Sequence, residues 1–274
     1  MAEASEGAHE LLRHGRRIAL LLEYDGGRYA GSQLQRNALT VQAVLEQAIE
    51  RATSATSRAA FAGRTDASAH ARGQVASFFT ESRLDNATMV RALNAWLPQD
   101  VVVRDAVDVE ENFDVRRHAV RRRYRYVIRN SSVRSALDRD RVWYVNGALD
   151  VEAMNEAATR IIGVHDFAAF AGPMEKVDAS TVRHLFCLSV SRLGDDVVIE
   201  AEASSFLPHQ VRRFAGSLVE VGRRKLSIDD FANQLNGPPA SAGPVAPAHG
   251  LCLMRVDYEP PLFGEGLATS PAVC

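Results

Sequence analysis

Lysine is nearly missing from this chain: Lys176 and Lys225 are its only two, and arginine supplies the rest of the 32 basic residues. Arginine has a planar fork that suits phosphate and can stack on bases, so the bias leaves an anionic partner open without requiring one. A formal net charge of -2 excludes a protein coated in positive charge. It does not exclude a basic stripe on one face. Cysteine is also scarce. Cys187, Cys252 and Cys274 are odd in number and far apart, with no metal-ligand spacing and no disulfide framework, so a reducing cytoplasm is the expected setting. No apolar run reaches the length of a membrane span, so no membrane partner is expected. Met1 to Gly15 lacks the apolar stretch of a secretory signal and reads as a short disordered tail. No Gly-rich loop follows a strand as a dinucleotide or P-loop site needs, which weighs against a nucleotide cofactor. No short-period repeat is present.

What the chain does contain is an ordinary globular balance, 46% hydrophobic and 24% charged, enough for a sizeable core without staples. Arg17 to Tyr24 reads as a strand ending in an Asp25-Gly26-Gly27 turn. Thr40 caps a helix with Val41, Val44, Leu45, Ala48, Ile49 and Ala52 on one face. Gln74 to Phe79 and Val101 to Val107 read as strands, separated by a helix capped by Asp85 and stopped by Pro98. The second half repeats the outline. Arg122 to Ile128 is a strand, Asp150 starts a helix, and Gly194-Asp195 marks a hairpin between Leu185–Ser191 and Val197–Ala203. His209 to Val221 is a helix with Val211, Phe214, Leu218 and Val221 inward. Ser227 opens a short helix, Gly237 to Pro247 is a loop, and Leu251 to Tyr258 closes as a strand. The expected fold class is mixed α+β: two α/β domains with mainly antiparallel sheets and flanking helices around a central cleft. The expected boundaries are 17–112 and 113–262, with tails at 1–16 and 263–274.

Three segments carry chemistry. Gly63-Arg64-Thr65-Asp66-Ala67-Ser68-Ala69-His70 gathers a carboxylate, a guanidinium and an imidazole into one turn. An opposite charge nearby keeps such an Asp ionised, and a turn at a strand end leaves it within reach of a substrate. The bland alternative is a polar loop with an incidental ion pair. Arg121-Arg122-Arg123-Tyr124-Arg125-Tyr126 alternates, so Tyr124 and Tyr126 face one side and Arg123 and Arg125 the other. Basic residues interleaved with aromatics suit an RNA backbone and an unstacked base. A solvated basic strand is the rival reading. Ser204 to Arg213 opens a helix in which Arg212 lies at the edge of the buried face and needs an acidic partner.

Taken in order, these segments resemble the TruA-type tRNA pseudouridine synthases over about Arg17 to Tyr258. The resemblance rests on Glu23-Tyr24-Asp25-Gly26 with Tyr29 and Gly31, Val41-Gln42, Ala62 to Ala67 with His70 and Gly73-Gln74-Val75, Leu97-Pro98 and Arg122 to Tyr126. It continues through Gly163 with His165-Asp166-Phe167, Phe206 with Val211-Arg212, and Ala246-Pro247 with Gly250-Leu251. It implies isomerisation of uridine to pseudouridine in the tRNA anticodon stem-loop, near positions 38 to 40, with no cofactor and no metal. Asp66 would be the nucleophile, attacking either the ribose anomeric carbon or the uracil ring. Arg212 would keep it ionised, and Tyr124 would stack on the uracil and help remove the carbon-bound proton after rejoining. Arg64 would enter the RNA stack when the nucleotide is turned out, with His70, Arg121, Arg123 and Arg125 on the RNA-binding side. Phe206 and Leu207 would wall the base pocket. Relatives act as homodimers, one tRNA lying across both subunits. The rival functions are the same chemistry on another RNA, a tRNA-binding protein without catalysis, and a hydrolase, which would need a second carboxylate. Two positions depart from the family pattern. Ser68 stands where glycine is common, which predicts strain if the backbone there needs a positive φ. Ser32 stands where an aromatic is common.

Overall fold

An apolar run with no polar alternation must be covered on both faces. In the computed structural model, which describes residues 15–174 and 179–264, β1 (Arg16–Tyr24) buries every residue from Ile18 to Leu22. It lies between β4 (Val101–Val109) and β3 (His70–Thr80) and runs antiparallel to both. A two-residue strand, β2 (Ala60–Phe61), pairs with β3. Two helices accompany these strands, α1 (Val41–Thr53) and α2 (Asn86–Trp96). Their first turns are capped as expected: Thr40 Oγ1 accepts from Ala43 N at 3.2 Å and Asp85 Oδ1 from Thr88 N at 2.8 Å. The two expected tails lie almost wholly outside the described residues.

The second half contributes β5 (Ala119–Asn130), β6 (Trp143–Val145), α3 (Val151–Thr159), β7 (Gly163–Asp166), β8 (Val182–Leu193), β9 (Asp196–Ala203), α4 (Gln210–Gly222), α5 (Ile228–Asn233) and β10 (Leu251–Tyr258). Asp150 caps α3 and Ser227 caps α5. The short strands β2, β6 and β7 escape sequence reading because so few residues show no alternation.

The halves do not keep separate sheets. One mixed sheet runs in the order β4-β1-β3-β10-β5-β9-β8-β7, with β2 attached to β3 and β6 to β5. β10 joins the two, pairing parallel with β3 and antiparallel with β5. It supplies partners for edges of β3 and β5 that would otherwise present unpaired amides and carbonyls. Helix α4 is pinned through Phe214, whose ring lies 4.9 Å from Phe170 and 5.8 Å from Phe167, centroid to centroid. Gly216 lets the loop before β10 lie flat on this helix, since a Cβ there would stand 1.9 Å from the Pro244 carbonyl. The expectation of no disulfide is corrected at one residue: Cys187 is disulfide-bonded, whereas Cys252 is a free thiol. Spacing along the chain does not report which side chains meet in the fold. Among the described residues no helix is long and apolar enough to cross a membrane.

Candidate active site

The loop between β2 and β3 is tied down before it reaches Asp66. Gln74, fully buried on β3, donates from Nε2 to the Gly63 carbonyl at 2.8 Å and to Tyr24 Oη at 3.3 Å. Tyr24 Oη in turn meets Thr65 Oγ1 at 2.8 Å. Ser32 accepts from Thr65 N through Oγ at 2.9 Å and donates its own N–H to the Thr65 carbonyl at 3.1 Å. The departure at Ser32 therefore has a structural use: its hydroxyl accepts from the backbone of the Asp66 loop. Gly31, at φ +99°, lets the two segments approach, because a Cβ there would sit 2.8 Å from the Thr65 oxygen. Ser68 adopts φ +67°, the strain expected of a side chain at a glycine position.

Asp66 emerges from this frame toward α4. Arg212 Nη1 donates to Asp66 Oδ2 at 2.6 Å. The guanidinium is itself fixed, its Nε donating to the Ala246 carbonyl at 2.7 Å. Asp66 Oδ1 faces His209 Nε2 at 3.8 Å, beyond hydrogen-bond reach. His209 precedes α4 at φ +60° without capping it. Sequence reading missed it; the only available signal is that histidine is one of the few side chains found in the left-handed region.

Tyr124 reaches the same cleft from β5. Its ring meets Phe206 edge-on, centroids 5.2 Å apart and planes at 90°. The cleft measures about 610 Å³, and Arg64, Asp66, Tyr124, Phe206, Leu207 and Arg212 all line it. Burial pushes the Tyr124 phenol well above its ordinary pKa, and the nearby Tyr24 and Asp66 add to this. It is therefore a neutral phenol at any working pH. Arg122, on the same face of β5, is buried and held wholly by carbonyls: Ala119 and Ser204 at 2.7 Å, Ala62 at 3.2 Å and Arg116 at 2.5 Å. It ties the Asp66 loop to the opposite wall. Burial lowers its pKa.

Four residues expected on the RNA side lie elsewhere. His70 is buried outside the cleft; its Nδ1 accepts from Gly26 N at 3.1 Å and its Nε2 lies 3.0 Å from the Asp140 carbonyl. Arg121, Arg123 and Arg125 project from the opposite face of β5. Arg121 Nη1 binds Glu202 Oε1 at 2.9 Å, Arg123 Nε binds Glu202 Oε2 at 2.9 Å, and Arg125 pairs with Glu200. Glu200 and Glu202 are buried carboxylates on β9 that need these partners. Alternation placed the arginines correctly, but their acids lie some 75 to 81 positions along the chain. The three arginines thus meet acidic partners on β9 and do not line the cleft. Among the described residues no group of three or more His, Cys, Asp or Glu side chains is placed to hold a metal ion.

Known proteins match this arrangement over most of its length. The family model for tRNA pseudouridine synthase matches residues 21–116 and 157–259. A protein of Geotalea daltonii named tRNA pseudouridine synthase A is 43% identical over 244 residues, covering 89% of this chain and 100% of that protein. Proteins of the same name from a Roseiflexus species and Myxococcus xanthus are 45% and 44% identical. They cover 94% and 92% of this chain, and 95% and 97% of their own length. The chain belongs to the tRNA pseudouridine synthase family, isomerases that act on RNA.

Proposed function

We propose that this enzyme isomerises uridine to pseudouridine in the anticodon arm of tRNA, in the cytoplasm and as a homodimer, with Asp66 as nucleophile and no cofactor. The observation that carries the reading is the 2.6 Å pair of Asp66 and Arg212, in one cleft with Tyr124 and Phe206. A carboxylate held by one oxygen leaves the other to attack. Asp66 Oδ1 would bond to the ribose anomeric carbon or to the uracil ring while the carbon–nitrogen glycosidic bond breaks. The uracil then turns and rejoins through C5, Asp66 is released as a carboxylate, the C5 proton is lost to a base and on to solvent, and N1, freed from the ribose, takes up one proton, so that the net change is an isomerisation. Tyr124 and Phe206 form a perpendicular aromatic corner suited to holding a loose uracil. Burial raises the Tyr124 pKa, which favours stacking and hydrogen bonding as its part, and the freed Asp66 carboxylate lines the same cleft as a base for the C5 proton. The target nucleotide must be turned out of its stack to reach the cleft, and a loop uridine costs least to extrude. Arg64, exposed on the cleft wall, would fill the gap it leaves.

Tritium release from C5-labelled tRNA transcripts, with the modified positions mapped, tests this directly. Asp66→Ala should abolish release while tRNA binding stays within a few fold. Release by Asp66→Ala at the parental rate would refute the assignment.

A further inference from the structure

Arg121, Arg123 and Arg125 project away from the cleft, so its capacity to bind an anion rests on other residues. Two arginines that line it, Arg116 and Arg183, meet no carboxylate among the described residues. Arg116 is exposed just before β5, and Arg183 is half-buried at the start of β8. Arg183 Nη1 is spent on the Ser180 and Val182 carbonyls at 2.8 and 2.7 Å, which aims the guanidinium. Its Nε is buried and meets no acceptor among the described residues, whereas buried polar groups are ordinarily partnered. Burial disfavours the charged forms of Arg183 and of the carbonyl-held Arg122, and the charge of Arg116 nearby adds to this. Three guanidiniums thus share one wall of a cleft whose Asp66 is already engaged by Arg212.

We propose that Arg116 and Arg183 form a two-sided clamp for a single phosphodiester of the RNA strand next to the extruded uridine. The inference rests on the RNA-isomerase reading above. Arginine forks bind phosphate oxygens in pairs, and the apolar neighbours Pro173, Met174 and Phe206 would sharpen that attraction by excluding water. The phosphate would set the register of the strand, so that only one nucleoside can reach Asp66.

The test is the salt dependence of tRNA-transcript binding by the full chain, from about 50 to 200 mM salt. Each phosphate neutralised contributes about 0.7 to the slope of log affinity against log salt on single-stranded RNA. Arg116→Gln and Arg183→Gln should each reduce the slope by about that amount and weaken low-salt binding about tenfold. The double variant should fall no further, because both groups act on one phosphate. Arg183→Lys should restore the slope, since it keeps the charge, but not the full affinity, since it lacks the fork. Thermal melting of each variant checks the fold. Should Arg183→Gln not fold, exposed Arg116→Gln alone decides. An unchanged slope in Arg116→Gln, or a double variant that loses twice as much, overturns the clamp while leaving the isomerase reading intact. A parental protein that neither binds tRNA nor releases tritium fails at the functional reading itself.

Discussion

Ser68 sits two residues from the proposed nucleophile with its backbone in the left-handed region, at φ +67°. That conformation costs a non-glycine residue about 1 kcal/mol or more, and the surrounding hydrogen bonds hold it there, Ser68 N donating to the Tyr29 carbonyl at 3.2 Å. Ser68→Gly would remove the strain, but glycine has more freedom to lose on folding. The expected net gain is about 0.5 kcal/mol, read as a melting temperature raised by about 1–2 °C. A lower melting temperature would mean that the Ser68 hydroxyl contributes more than its conformation costs. At the same scale, the two oxygens of Asp66 stand in unlike surroundings. One oxygen is fixed by Arg212 and the other faces open cleft and His209.

At the scale of elements, the site is a meeting of one loop, one strand and one helix start. The loop is held by Gln74, Tyr24 and Ser32; the strand presents Tyr124; α4 presents Arg212 and is fixed by its own phenylalanine packing. Ser32 links the first of these to α1, since its carbonyl also accepts from Gln42 N at 3.0 Å. Ser32→Ala would leave the buried Thr65 N–H without an acceptor, at a cost of about 1–3 kcal/mol. Because that amide is adjacent to Asp66, kcat for tritium release should fall further than tRNA affinity does. Stability loss with unchanged kcat would show that the loop holds its position without the hydroxyl. The element boundaries were legible because caps and apolar faces are short-range signals. Thr40, Asp85, Asp150 and Ser227 each cap the helix they were expected to cap.

On the scale of the whole molecule, the sheet has two unlike faces across β5. One carries Tyr124 and Arg122 into the cleft; the other carries arginines locked to Glu200 and Glu202. Desolvation by itself would raise the pKa of Glu202, but its bonds to Arg121 and Arg123 outweigh it and bring the carboxyl below its ordinary value. A carboxylate with a depressed folded pKa stabilises the protein above its unfolded pKa of about 4.3. That contribution fades as pH falls from there through the folded value. Glu202→Gln should therefore destabilise by about 1–2 kcal/mol at neutral pH, a range discounted for the exposure of its arginines. The gap between parent and variant in denaturant melts should close below about pH 4. A gap that persists in acid would place the loss in packing, not charge. By itself the sequence determined which face of β5 is aromatic and where the helices begin, because periodicity, capping and turn chemistry act over a few residues. Only the tertiary structure decided which arginines are already satisfied, that β10 joins the halves into one sheet, and that His209 stands beside Asp66. Those outcomes depend on partners far along the chain, and charge and edge pairing act through distance in space, which chain order does not encode.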